Sequence, residues 1–254
     1  MSKKNLGLDL IRIFAAFSVL ICHSGYFSVG ISYAAINYAG ILAVDFFFVL
    51  SGFLVGKSLI LAVVAPYPRK MLKRFYINRL LRTLPLYYIL LFVNSWIKRE
   101  TIPISCFLFL HNFSEASLGF MPAAWSLSIE MWFYFMIPPV FLVLFRRFQH
   151  KHSREKAIFL TIGILYLIPF LLRIIHVLVF DPEWDNGVRK QILLRLDTVM
   201  LGVFFAALKI FQPGIYQKIS TSGAHYFFRL PASWVPGFCI NIIIFWTAIM
   251  IHPF

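Results

Sequence analysis

Long apolar runs separated by short clusters of lysine and arginine set the pattern of this sequence. Crossing the hydrocarbon of a bilayer as a helix takes about 20 largely apolar residues. Seven runs reach or approach that length: 8–27, 40–64, 83–97, 125–145, 157–178, 192–211 and 235–252. They predict an all-α, polytopic bundle of about seven transmembrane helices. The run 83–97 is the shortest, and "IPISCFLFLHNF" (102–113) is too short to span, so it is expected to dip into the outer face. The chain shows no internal repeat and no low-complexity stretch, so residues 1–254 are read as one integral membrane domain.

Composition excludes an ordinary soluble domain, since 60% of the residues are apolar and 18% aromatic. The 24 Lys and Arg against 10 Asp and Glu give a net charge of +14. Such a balance can signal nucleic acid, but no basic recognition helix accompanies it, and cytoplasmic loops of membrane proteins carry the same excess. With the N-terminus inside, seventeen of these cations, among them Lys3, Lys57, Arg69, Arg79, Arg82, Arg146, Lys156 and Lys209, fall on the cytoplasmic side. Only Lys98, Arg99, Arg189 and Lys190 fall outside, and Arg12, Arg173 and Arg195 lie within spans. The opening "MSKKNLGLDLIRIFAAFSVLICH" resembles a signal peptide in its basic start, but Arg12 within the run and the lack of an A-x-A cleavage site favour a retained helix. Cys22, Cys106 and Cys239 form no CxxC and have no histidine at metal spacing, so neither a disulfide framework nor a metal site is indicated.

Ionisable groups inside membrane spans cost about 2.5–3.5 kcal/mol near the bilayer centre and normally face a cavity or a partner. This chain places Asp9, Arg12, His23, Asp45, Glu130, Arg173, Arg195 and Asp197 in its spans. All but Asp9 and Arg12 fall near outer helix ends, which predicts one polar layer. Arg12 and His23 are eleven residues apart; at 100° per residue that is about 20° short of, or past, whole turns, so both face the same way about 16 Å apart. The histidine is either a packed, hydrogen-bonded interior group or a proton acceptor; the arginine either snorkels to headgroups or binds an anion. Glu130 or Asp45 either orients that imidazole or forms an ion pair with Arg173 or Arg195. Ser51 and Gly52 fit close helix packing as well as close approach of a ligand. Arg79 and Arg82, three apart on one helix face, fit topology charge as well as anion binding. Trp125, Trp132, Phe133 and Tyr134 read as interface belt and core packing.

Four stretches in order carry more information together than apart: "RIFAAFSVLICH" (12–23), "VDFFFVLSGFLVG" (44–56), "FYINRLLRTLPLYY" (75–88) and "WSLSIEMWFY" (125–134). They resemble the acyltransferase-3 family of integral membrane O-acyltransferases, with R-x10-H, FFVLSGF, RxxR before a proline, and WSL-x-x-E-x-x-FY; "RLDTVMLG" (195–202) is a weaker fifth match. The resemblance covers residues 6 to 211. It implies transfer of an acyl group, usually acetyl, from cytoplasmic acyl-CoA to a hydroxyl of an extracytoplasmic or exported saccharide, in a bacterial cytoplasmic membrane. It implies that Arg12 and His23 are essential and that Arg79 and Arg82 serve acyl-CoA; the residues themselves add Glu130 or Asp45 as the group beside a catalytic His23, and Arg12 as a further cation for the phosphates of CoA. The chemistry is coherent: an imidazole takes the proton of an otherwise poor hydroxyl nucleophile, and guanidinium groups bind the phosphates of CoA. Two departures stand out. Ala43 replaces the usual glycine before Val44-Asp45, and the segment after 211 lacks the family's SYxxYLxH-like pattern, so the chain is expected to lack the C-terminal helices of the full family domain. An inactive truncated relative would keep the same motifs. A transporter of a saccharide-linked substrate would be expected to show inverted repeats, which are not found here.

Overall fold

The computed structural model describes residue 13 and residues 15–22, 33–113 and 119–219. Every regular element among them is helical: α1 (15–22), α2 (Tyr33–Val64), α3 (Pro68–Lys98), the short α4 (Ile104–Phe107), α5 (Trp125–Gln149), α6 (Arg154–Phe180), α7 (Ile192–Phe211) and α8 (213–219). A 3-10 turn, Pro122–Ala124, leads into α5, and a π-helical turn, Trp184–Arg189, precedes α7. Among the described residues, four helical segments are long and apolar enough to cross a membrane: Gly40–Val64, Pro68–Lys98, Pro122–Gln149 and Arg154–Phe180. The run expected at 192–211 is a helix with those bounds, but it carries Arg195, Asp197 and Lys209 and is largely buried among its neighbours. The run 235–252 lies outside the described residues, and 8–27 lies partly outside them.

The third helix departs most from the sequence reading. A helix over 83–97 was expected after a basic loop at 65–82, whereas α3 runs unbroken from Pro68 to Lys98. The reason is local. "PRKMLKRFYINRLLRT" contains strong helix formers and no glycine, Pro68 sits at the start where its missing N–H costs nothing, and Arg99 ends the helix in the left-handed region at φ 56°. The basic stretch is therefore part of a rigid helix, and Pro85 lies inside it. Segment 102–113 is strapped to one end of the bundle through its carbonyls. Tyr87 Oη donates to Cys106 O at 2.7 Å, Tyr88 Oη to Phe107 O at 3.1 Å, and Trp132 Nε1 to Phe109 O at 2.9 Å.

The most extensive helix pairing joins α2 to α7. A side chain on Gly52 would fall on the Val199 carbonyl, and one on Gly202 on the Val49 carbonyl. One turn along, a Cβ on Gly56 would lie 2.8 Å from Val203 Cα. Small residues on both helices thus bring the two backbones together, the usual route to tight packing where lipid removes the hydrophobic drive between helices. The core continues around this crossing through Val55, Leu59, Ile129, Met131, Phe133 and Phe141, all buried.

Candidate active site

The α2–α7 crossing fixes the direction of the residue next to it. With Gly52 turned onto α7, Ser51, about 100° away around the helix, faces a cavity of about 400 Å³. The cavity is bounded by α1, α2, α3 and α5 through Val19, Ser51, Arg79, Arg82, Glu130 and Tyr134 among others. Arg79 and Arg82 share one face of α3 because they are three residues apart. Both also line a second cavity, of about 390 Å³, between α2 and α3, together with Ser58, Arg74, Phe75 and Asn78. Among the described residues neither Arg79 nor Arg82 has a carboxylate partner, although Arg79 lies 6.0 Å from the Phe75 ring centre. Unpaired guanidinium groups on a largely apolar wall make the two cavities receptive to an anion.

Opposite them stands Glu130 of α5. Its Oε1 accepts hydrogen bonds from Ser51 Oγ of α2 and from Tyr134 Oη, one turn further along α5. Tyr134 is buried and packs edge-on against Phe75 of α3, so its hydroxyl is held toward Glu130 by both neighbours. The cavity thus combines a carboxylate with two arginines on the facing wall, an arrangement able to hold an anionic ligand and manage a proton beside it.

Among the described residues, the intramembrane charges fall into two sets of contacts. Asp45 is buried and forms an ion pair with Arg195 of α7; it does not line the cavity that holds Glu130. Arg173 of α6 pairs with Asp197 of α7 at 2.6 Å and also donates to Leu194 O. Of the two carboxylates singled out in the sequence, Glu130 is thus in the cavity and Asp45 is in an interhelical charge network. Arg12 and His23, together with Asp9, lie outside the described residues. The sequence reads Tyr134 as packing and misses its bond to Glu130, and it leaves Ser51 open between helix packing and a ligand. The i, i+4 spacing of Glu130 and Tyr134 was the one available sign of their contact.

Beyond this cavity, His111 is buried beside Ser128, with Nε2 3.1 Å from its Oγ and Nδ1 without a partner among the described residues. Burial pushes the imidazole below its ordinary range, an effect partly offset by a backbone hydrogen bond involving Ala124. Asn112 ties three segments together, its side-chain Nδ2 donating to Trp125 O at 3.0 Å and Lys190 O at 2.7 Å while its backbone carbonyl accepts from Ile192 N. In the π-helical turn, burial raises the Asp185 carboxyl, but hydrogen bonds from Lys190 and Arg189 outweigh it and hold the group below the usual carboxylate range.

The model of the acyltransferase domain family (Acyl_transf_3) matches residues 5–253, extending past the 6–211 covered by the sequence motifs. The O-acetyltransferase OatA of Staphylococcus aureus (strain NCTC 8325 / PS 47) is 29% identical over 221 residues, covering 79% of this chain and 34% of OatA. The Bacillus subtilis (strain 168) protein YrhL, provisionally named a peptidoglycan O-acetyltransferase, is 30% identical over 175 residues, 60% of this chain and 26% of that protein. The chain thus spans about a third of the length of the curated relatives it matches. No solved structure matches it.

Proposed function

This chain belongs to the acyltransferase-3 family, and from that premise we propose that it moves an acetyl group from acetyl-CoA to a saccharide hydroxyl outside the cytoplasm. The observation that carries the reading is the pair of adjoining cavities that share Arg79 and Arg82 and contain Glu130 in the one nearer α1. The acyl donor has an anionic nucleotide end and a long neutral arm. Its phosphates suit the cavity with Arg74, Arg79 and Arg82, and its thioester end suits the apolar cavity that reaches Glu130. The distribution of Lys and Arg puts the phosphate end on the cytoplasmic side.

In the helix that the sequence predicts across 8–27, His23 stands one turn beyond Val19, a residue that lines the cavity. His23 takes the proton of the acceptor hydroxyl as its oxygen forms a C–O bond to the thioester carbonyl; the C–S bond then breaks, and the proton passes to the departing CoA sulfur. Glu130 supports the imidazolium formed in between, and Arg12 joins Arg79 and Arg82 in holding the donor. The acceptor is a sugar hydroxyl of the peptidoglycan type, in line with the names of the relatives. One integral domain in the bacterial cytoplasmic membrane, N-terminus inside, completes the reading.

The test is acetyl transfer from labelled acetyl-CoA to a chitooligosaccharide in proteoliposomes. His23→Ala should abolish transfer and Glu130→Gln should lower it severely to a small residual rate, while the protein still inserts and elutes as a single species. Transfer at the wild-type rate by His23→Ala would overturn the mechanism.

A further inference from the structure

Glu130 is held asymmetrically. Two hydroxyl donors from two helices meet on Oε1, and among the described residues no donor reaches Oε2. The carboxylate stands at the wall of a cavity whose other lining includes Val44, Phe47 and Phe48, where an unsupported charge is costly and a free side chain would rotate. Charge-assisted hydrogen bonds oppose that rotation. Two of them on one oxygen fix the plane of the carboxylate. Both donors are themselves located by packing. Ser51 is placed by the glycine contact of its neighbour Gly52 with α7, and Tyr134 is buried against Phe75 of α3. Four helices therefore converge on the orientation of one oxygen.

We propose that Ser51 and Tyr134 are positioning residues for acyl transfer: they clamp Glu130 by Oε1 so that Oε2 is presented to the reacting groups in the cavity. The inference rests on the reading of Glu130 given above and deepens it, because it assigns each oxygen of the carboxylate a separate task. It also makes the α2–α7 crossing part of the site, since a change in that crossing turns Ser51 away from Glu130. The alternative is that Glu130 serves Tyr134, satisfying the hydroxyl of a buried ring. The two differ in what the single hydroxyl substitutions do: if Glu130 only serves Tyr134, Tyr134→Phe and Ser51→Ala keep the normal rate.

Purified protein in proteoliposomes, labelled acetyl-CoA and a chitooligosaccharide acceptor provide the assay. Tyr134→Phe and Ser51→Ala should each lower kcat by about 10- to 100-fold, the effect of losing one hydrogen bond to a charged group, while KM for acetyl-CoA changes less than about twofold. Ser51→Thr, which keeps the hydroxyl, should recover most of the rate. Added to Glu130→Gln, Tyr134→Phe should have no further effect, because its influence passes through the carboxylate. Multiplying losses in that double variant, or normal rates in Tyr134→Phe and Ser51→Ala beside a severely impaired Glu130→Gln, would overturn the clamp and leave the proposed function standing. A fully active Glu130→Gln would instead remove the role of Glu130 itself. Independently of turnover, the infrared carboxylate band that disappears in Glu130→Gln should shift in Tyr134→Phe. An unmoved band would also overturn the clamp.

Discussion

Asp45 of α2 and Arg195 of α7, 150 residues apart in the chain, form a buried ion pair beside the crossing of their helices. Two residues along α7, Asp197 pairs in the other direction with Arg173 of α6. A step of two residues turns about 200° around a helix, so α7 shows a cation to one neighbour and an anion to the other. Removing one member of a buried pair leaves an uncompensated charge and typically costs about 3–5 kcal/mol, whereas replacing both by apolar groups is often neutral. Asp45→Asn should therefore sharply reduce the amount and melting temperature of folded protein. Asp45→Leu combined with Arg195→Met should restore both and retain acetyl transfer. A well-folded double variant without transfer would return Asp45 to the catalytic machinery.

Arg79 and Arg82 line both cavities, while Arg74 lines only the one between α2 and α3. Loss of either shared arginine should weaken acetyl-CoA binding at least about tenfold, on the scale of one charge-assisted phosphate contact. Arg74→Ala should weaken binding of acetyl-CoA but not of S-acetylpantetheine, which lacks the nucleotide. Calorimetric titration of the purified protein with each compound decides this, and equal losses for both compounds would remove the assignment of the phosphate end to that cavity.

Gly52→Ala and Gly202→Ala each place a methyl group on a backbone carbonyl of the partner helix, whereas nothing lies within 4 Å of a Cβ at Gly163. The first two should lower thermal stability in detergent by several degrees or prevent accumulation, since backbone must move to admit them. Gly163→Ala on α6 should be neutral or slightly stabilising through helix propensity. Equal melting temperatures for all three would show that the crossing is loose.

His111 is buried with its imidazole held below its ordinary range by that burial. The neutral ring is favoured in the fold, so its contribution is fully present above about pH 6.5 and is lost as pH falls through the lowered folded value. Thermal melting should thus fall between pH 7.5 and pH 5, and His111→Gln should flatten that dependence. An unchanged slope in the variant would assign the acid sensitivity to other groups.

Under the proposed N-terminus-inside topology, Ser153, the N-cap of α6, would face the cytoplasm and Glu100, just after α3, the outside. A cysteine at Glu100 should react with an impermeant maleimide on intact cells, and one at Ser153 only after lysis. The reverse pattern would invert the orientation.

The sequence by itself determined the helices and the chemistry available to them. Apolar runs of spanning length fix α5, α6 and α7 to within a few residues and the end of α2, which begins before its run at Tyr33, because helix formation in an apolar run is decided by composition and by the obligation to satisfy backbone groups internally. The motifs likewise single out Glu130, Arg79 and Arg82 before any contact is known. The bounds of α3 were less legible, since charge at 69–82 reads as loop although the same residues are good helix formers. Only the tertiary structure decided which charged groups meet. Asp45 and Glu130 are both single carboxylates in apolar helices, and nothing local distinguishes the one that pairs with Arg195 from the one that faces a cavity. That choice depends on helix rotation, which the glycine contacts between α2 and α7 set. The same rotation points Ser51 at Glu130, since partners 79 residues apart are joined by packing and not by sequence spacing, whereas Tyr134 reaches Glu130 along their shared helix.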